Sequence, residues 1–405
     1  MSRYVRNDKI QPFHNNRIED KDVRPLGKPA WMPLLYGLTV IGLSVPSEST
    51  GAQICLISPK RILLRLIKSI WCIVLLALFI DNLYEVLSML QRKRVILFVD
   101  TVFLILLVIS TQRKLSKVVR YFESMERLLY PHSSKLPWMN SFKKWSWISC
   151  FFMLVYNVVS FTNVLMFIIN NGYNCPAMTD LLFLIRQWPL AIRIVNVLFQ
   201  IAVVSRTFLA NYAPTMIALL CCFTFKMERK VIQHQNLRII QRMRKGLSND
   251  SFTEAAQVIY DTTSLLHSVT QSLSLVILIL ISYWISNIFV CITNILQRNT
   301  FGLQIQVFLT CVVVIFSSMF AYLAHLASNV RQEYLSLKDQ LLAVAESDPR
   351  LFEEIPIAAN FELLGRIHEG MVVKTLVTPL EMFTVDSKLI LTVLGAVITY
   401  SVIIF

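Results

Sequence analysis

The chain has 405 residues, of which 55% are hydrophobic and only 16% charged, too apolar for a water-soluble domain of this size. A formal net charge of +14 would suggest nucleic acid for a soluble protein. Here the basic residues separate long apolar blocks, which is the pattern of an all-α polytopic membrane protein with no nucleic-acid role. Eight cysteines, with no Cys-x-x-Cys among them, give neither a disulfide framework nor a zinc site.

The first thirty residues are polar, and the stretch 31–45 holds Pro33, Gly37 and Gly42 without a strong apolar core, so no cleaved signal is expected. Seven spanning helices follow, at about 64–87, 95–111, 146–169, 190–224, 269–296, 303–327 and 383–405, each long enough to cross the hydrocarbon. The fourth exceeds the bilayer and is expected to run on into water at Lys226-Met227-Glu228-Arg229-Lys230.

Lysine and arginine placement assigns the sides. The N-terminal arm, the second-to-third connection and the fourth-to-fifth connection are strongly basic. The opposite connections offer little beyond Arg186 and Arg298, and only Arg92-Lys93-Arg94 runs against the trend. The N-terminus is therefore expected in the cytoplasm and the C-terminus outside, inverted relative to a G-protein-coupled receptor. The sequon Asn249-Asp250-Ser251 then lies inside, and no N-glycan is expected.

After the sixth span, residues 329–345 read as its helical continuation, stopped by Ser347-Asp348-Pro349. A second helical stretch covers about 357–373. On composition alone, 328–382 is an amphipathic linker. The last span is about 34 Å long at the helical rise, and its run Val393-Leu394-Gly395-Ala396-Val397-Ile398 suits a buried or lipid-facing helix.

A set of polar and aromatic residues falls at the outer ends of the spans: Asp100, Asn163, Trp188, Asn196, Trp284, Asn287, Gln304 and Gln306, with Tyr283 and Arg193 near them. Polar groups in membrane helices turn to the bundle interior, where each can serve a single interhelical hydrogen bond. Together, aromatic faces beside amides and a carboxylate suit a small polar ligand. Asp100 and Arg193 are the deepest charges and are candidates to pair. His325 reads as a packed or interfacial residue.

Two terminal markers carry a family resemblance. The segment Pro33-Leu34-Leu35-Tyr36-Gly37-Leu38 and the C-terminal Thr378-Pro379-Leu380, Phe383-Thr384-Val385-Asp386, Gly395 and Thr399-Tyr400-Ser401-Val402-Ile403-Ile404-Phe405 resemble those of insect gustatory receptors. The resemblance implies a plasma-membrane, multi-pass receptor subunit: a ligand-gated nonselective cation channel opened by a tastant, a sugar or a bitter compound. It also implies a homo- or hetero-tetramer with related subunits around a central pore lined by the seventh spans. In that scheme 1–63 is a cytoplasmic arm with a pre-span segment, and 64–327 holds six spans with the ligand pocket in their outer half. Residues 328–382 form a cytoplasmic anchor packed through Leu335, Leu342, Phe361, Leu364 and Ile367, and 383–405 is the pore helix. Thr399 and Tyr400 line the pore or pack behind it. The family motif continues with Gln-Phe where this sequence stops at Phe405, and Ile403, Ile404 and Phe405 are the substitutes for that Gln at an apolar gate, closing by dewetting.

Two other classes fit the sequence less well. A G-protein-coupled receptor disagrees with the orientation and lacks Asp-Arg-Tyr after span three and Asn-Pro-x-x-Tyr in span seven. A secondary transporter would show paired broken helices, whereas Pro214 and Gly395 stand alone. No phosphate loop, His-Glu-x-x-His or nucleophile constellation suggests an enzyme, and no cofactor is expected.

Overall fold

A computed structural model describes residues 31–43, 66–76, 92–129, 143–151, 189–245, 249–296 and 303–347, with single positions at 79, 80, 83, 154, 155, 158, 162 and between 389 and 400. Every regular element among the described residues is helical. In chain order these are α1 (Met32–Val40), α2 (Leu66–Leu76), α3 (Arg92–Leu129), α4 (143–151), α5 (Pro189–Lys245), α6 (Asn249–Leu296), α7 (Leu303–Ser347) and α8, the helical positions within 389–400. Three segments among the described residues are long and apolar enough to cross a membrane: Phe208–Arg244, Phe252–Leu296 and Gln306–Leu337.

The pre-span segment 31–43 forms a short, tightly closed helix. Pro33 sits in the first turn of α1, where its missing N–H costs nothing. At the other end, Gly42 N–H donates to Thr39 O at 3.0 Å and Leu43 N–H to Leu38 O at 3.1 Å, with Gly42 at φ 77°. That double bond pattern is a Schellman closure, and its left-handed position is why a glycine stands there. Gly37 has a different reason. A Cβ at Gly37 would lie 2.2 Å from the Met216 methyl and 3.4 Å from the Tyr212 hydroxyl of α5. The missing side chain lets α1 lie directly against the central helix, and Tyr212 Oη donates to Gly37 O at 3.2 Å.

The centre of the bundle is α5. Its apolar window is 89% buried, against 50% for α6 and 33% for α7. A helix apolar around its whole circumference must be covered on all sides, and α5 packs on α1, α3, α6 and α7. Leu209, Met216, Ile217, Leu220 and Phe223 are all but sealed from outside.

The long helices do not stop where the apolar sequence does. At about 1.5 Å per residue, the 57 residues of α5 extend for about 86 Å, far beyond the roughly 30 Å hydrocarbon core. The expected run-on past Lys226 is present as continuous helix to Lys245, and the sixth span continues without a break to Ser347. Two extensions exceed the sequence expectation. The second span continues to Leu129, and the fifth-span helix starts at Asn249 rather than near 269. The reason for the latter is a second core in which Phe252, Ala255 and Ile259 of α6 meet Ile239, Ile240 and Met243 of α5 and Leu337 of α7. The early part of α6 thus buries one stripe while its other faces stay polar.

Polar ties lock this end of the three helices. Arg229 Nε donates to Glu333 Oε2 at 3.0 Å, Asn236 Nδ2 donates to Glu333 O at 3.1 Å, and the Thr263 and Tyr334 hydroxyls meet at 2.9 Å. Lys226 Nζ lies 3.4 Å from the ring centre of Trp145 on α4 and 5.4 Å from that of Tyr322 on α7. These rings hold a cation where the apolar core ends.

Candidate functional site

Between α3, α6 and α8 lies an open cleft of about 740 Å³. On α6 it is faced by Ser282, Ile285, Ser286 and Phe289, which recur at three- and four-residue spacing and so share one side of the helix. Val99 and Phe103 come from α3, and Val393, Ala396, Val397 and Tyr400 from α8. Ser282 Oγ donates to Leu278 O of its own helix at 2.9 Å, so its remaining capacity toward a guest is as an acceptor. Tyr400 is 62% exposed in the single chain. Such a wall suits a small, mainly apolar molecule held by one or two hydroxyl contacts, within the usual size range of ligand pockets of about 300–1,000 Å³.

The sequence-selected residues distribute unevenly around this cleft. Tyr400 is in its wall, and Thr399 Oγ1 donates back to Gly395 O at 2.8 Å. Asp100 is buried on α3 between the cleft-facing Val99 and Phe103, and lies close to Cys291 of α6. Trp284 turns the other way, toward α7. It is 1% exposed, its ring centre is 6.3 Å from that of Phe320, and its Nε1 has no acceptor among the described residues. Asn287 Nδ2 donates to Tyr283 O of its own helix at 2.9 Å. Gln306 is half-buried at the start of α7. The side chains of Asn163, Trp188, Arg193, Asn196 and Gln304, and residues Ile403, Ile404 and Phe405, lie outside the described residues.

Tyr283 has a task that spacing alone did not reveal. Pro214 lies inside the continuous helix α5, and a proline removes the donor that would bond the carbonyl four residues earlier, that of Ala210. Tyr283 Oη donates to Ala210 O at 2.7 Å. A side chain from α6 thus replaces the backbone bond that α5 lacks, as membrane bundles require. Thr215 Oγ1 adds contacts to Asn211 O at 2.8 Å and Tyr212 O at 2.9 Å on the next carbonyls.

Sequence reasoning missed Ser282, Ser286 and the α3 wall because two serines in an apolar helix look like helix-internal hydroxyls. The available signal was their i, i+4 spacing on the stripe shared with Ile285 and Phe289.

The same arrangement of helices occurs in a solved receptor. The structure of the insect olfactory receptor OR5 from Machilis hrabei matches over 92% of this chain and 97% of its own, with a TM-score of 0.60 and 14% identity. The chain has the insect olfactory receptor fold. A second structure of the same olfactory receptor, in complex with eugenol, matches over 92% of this chain and 96% of its own, with a TM-score of 0.56 and 12% identity. No protein-family model and no curated protein sequence matches. At such identity the olfactory receptor likeness is one of architecture, and it spans nearly the whole of both chains.

Proposed function

We propose that the chain is a gustatory-type subunit of a ligand-gated, nonselective cation channel, opened by a small-molecule tastant in the plasma membrane. The observation that carries this reading is the cleft, whose third wall is the C-terminal helix with Tyr400 of the Thr-Tyr motif. By the resemblance that helix lines the pore, so a guest in the cleft touches the gating element directly. A ligand opens such a channel only through tighter binding to the open arrangement. A guest wedged between α8 and the α3–α6 wall does that when opening widens the cleft.

In this reading seven helices span the bilayer with the N-terminus inside and the C-terminus outside, and four copies surround the pore. Residues 328–382 anchor the tetramer, and Leu335, exposed on α7 in the single chain, is covered by a neighbour. Ile403, Ile404 and Phe405 form the dewetting constriction. Asp100, Asn163, Trp188, Asn196, Trp284, Asn287, Gln304 and Gln306 support the outer-half pocket as lining or second-layer groups. The binding of eugenol by the olfactory receptor of like fold supports an aromatic small molecule as one class of guest.

The test is heterologous expression with whole-cell recording against a panel of sugars, bitter alkaloids and small phenols, with G-protein signalling blocked. A ligand-evoked cation current that persists under the block is the expected result. Replacing Ile403 or Ile404 with Ser should add leak without ligand. Surface-expressed protein that gives no current to any ligand and no leak in either variant refutes the channel reading.

A further inference from the structure

A second recess lies on another face of α3, between α1, α2 and α3, with a volume of about 590 Å³. We propose that it is a binding site for an anionic phospholipid, which lays one acyl chain in the groove and sets its phosphate against Lys68 and Arg113.

The lining is divided by chemistry along its length. Leu75 and Leu76 of α2, with Phe79 just beyond it, face Ile105, Leu106 and Ile109 of α3, whereas the cations Lys68 and Arg113 occupy one end. The helix register explains why they meet. Phe79 and Phe98 lie with ring centres 5.4 Å apart while Lys68 shares the recess with Gln112 and Arg113, so chain order reverses between the two stretches and Lys68 falls level with the last turns of the α3 apolar run. From Val102 to Arg113, both in the lining, is eleven residues, about 16 Å of α3. A hydrocarbon core of about 30 Å has leaflets about half that deep. The apolar part of the groove therefore matches one leaflet, with the cations at headgroup level.

The floor is built rather than incidental. Trp71 Nε1 donates to Val40 O at 2.8 Å, and its ring lies on Phe208 of α5 with centres 6.1 Å apart and 14° between planes. The Schellman turn at Gly42 brings the end of α1 against Lys68, whose Cα would be 3.1 Å from a Cβ at Gly42. The groove opens sideways, since Leu76, Leu106 and Ile109 are exposed. An acyl chain can thus enter laterally from a bilayer without leaving hydrocarbon.

The cations choose among lipids. A neutral headgroup needs no net positive partner, whereas a phosphate with no compensating ammonium does, and basic pockets between membrane helices bind such heads. Free phosphate would meet the two cations but leave the apolar length empty. With the N-terminus inside, as proposed above, the lipid belongs to the cytoplasmic leaflet, where anionic lipids concentrate. The assignment of the site itself does not depend on that orientation.

The experiment is native mass spectrometry of the full-length protein released from mixed micelles of phosphatidylcholine and phosphatidylglycerol, checked for monodispersity first. The parent should retain phosphatidylglycerol in preference. The double variant Lys68→Gln, Arg113→Gln alters only exposed positions, and should lose that preference by roughly 30-fold, about 1 kcal/mol per cation near the surface. Lys117→Gln, exposed on α3 outside the groove, should not. Leu106→Trp should fill the groove and reduce lipid retention of both kinds. Undiminished phosphatidylglycerol in the double variant overturns the proposal, as does equal loss in Lys117→Gln. Displacement by millimolar inorganic phosphate alone would assign the cations to a free anion and overturn it as well.

Discussion

The bond from Tyr283 to Ala210 O is the sharpest handle on how the bundle is held together. Tyr283→Phe removes one hydroxyl and leaves the ring packed beside Phe316, whose centre lies 6.3 Å away. The Ala210 carbonyl then loses its donor from α6, and Pro214 has already removed the one from its own helix. Interhelical hydrogen bonds in membrane proteins average about 0.6 kcal/mol and reach about 1.7, because the alternative states also find partners. A carbonyl without its helical partner belongs at the upper end, so the expected cost is about 1–2 kcal/mol. Pro214→Ala restores the backbone N–H to Ala210 O. In that background Tyr283→Phe should cost under about 0.5 kcal/mol, a coupling near 1 kcal/mol or about fivefold in the unfolding constant. The measurement is equilibrium unfolding in mixed micelles with added dodecyl sulfate, followed by tryptophan fluorescence, on the parent, both single variants and the double. The effect of Pro214→Ala on helix shape cancels in such a cycle. An equal cost of Tyr283→Phe in both backgrounds refutes the argument that the two residues serve one carbonyl.

Gly37→Leu should prevent α1 from seating on Met216 and lower the detergent melting temperature, and Met216→Ala should recover part of the loss. Additive effects of the two changes would show that α1 does not press on α5 there. Reversing the charges at Arg229 and Glu333, which are 42% and 19% exposed, should cost about 1 kcal/mol for either single change after allowance for solvent screening, with recovery in the double swap. The same unfolding titration reads it, and absence of recovery sinks the pairing. In the cleft, Ser286→Leu should shift dose-response midpoints several-fold with little change in maximal current, while Tyr400→Ala should alter maximal current or leak. Unchanged midpoints for every active ligand would place the pocket elsewhere. An epitope appended after Phe405 should label on intact cells and one before Met1 only after permeabilisation; the reverse result refutes the proposed orientation.

Much of the architecture was written in the apolar periodicity. The run-on of α5 past Lys226 and the continuation of α7 to the Ser347-Asp348-Pro349 stop followed from length and from known helix breakers. The early start of α6 was also present in the sequence, as Phe252, Ala255, Ile259 and Leu266 at helical spacing. It was masked because the intervening Glu254, Asp261 and Thr263 lower the local hydropathy. What could not be read is which way a side chain turns. Trp284 and Ser286 are two residues apart, yet one packs on α7 and the other faces α8. Nothing in a single helix says which neighbour lies on which side. The debt of Pro214 is similar: a proline announces an unpaired carbonyl at Ala210, but the residue that answers it is 73 positions away.

The unbroken length of α5 has a mechanical consequence. A rod of about 86 Å that pivots at its middle moves each tip by about 0.75 Å for every degree of tilt. Its lower arm is clamped by Lys226 between two rings and by the Arg229–Glu333 pair, and its upper arm extends past Pro214 toward Pro189. The proline lies beyond that clamp, at the point where a bond from Tyr283 stands in for the helix's own. Loosening the Tyr283 brace would make the lever softer without shortening it.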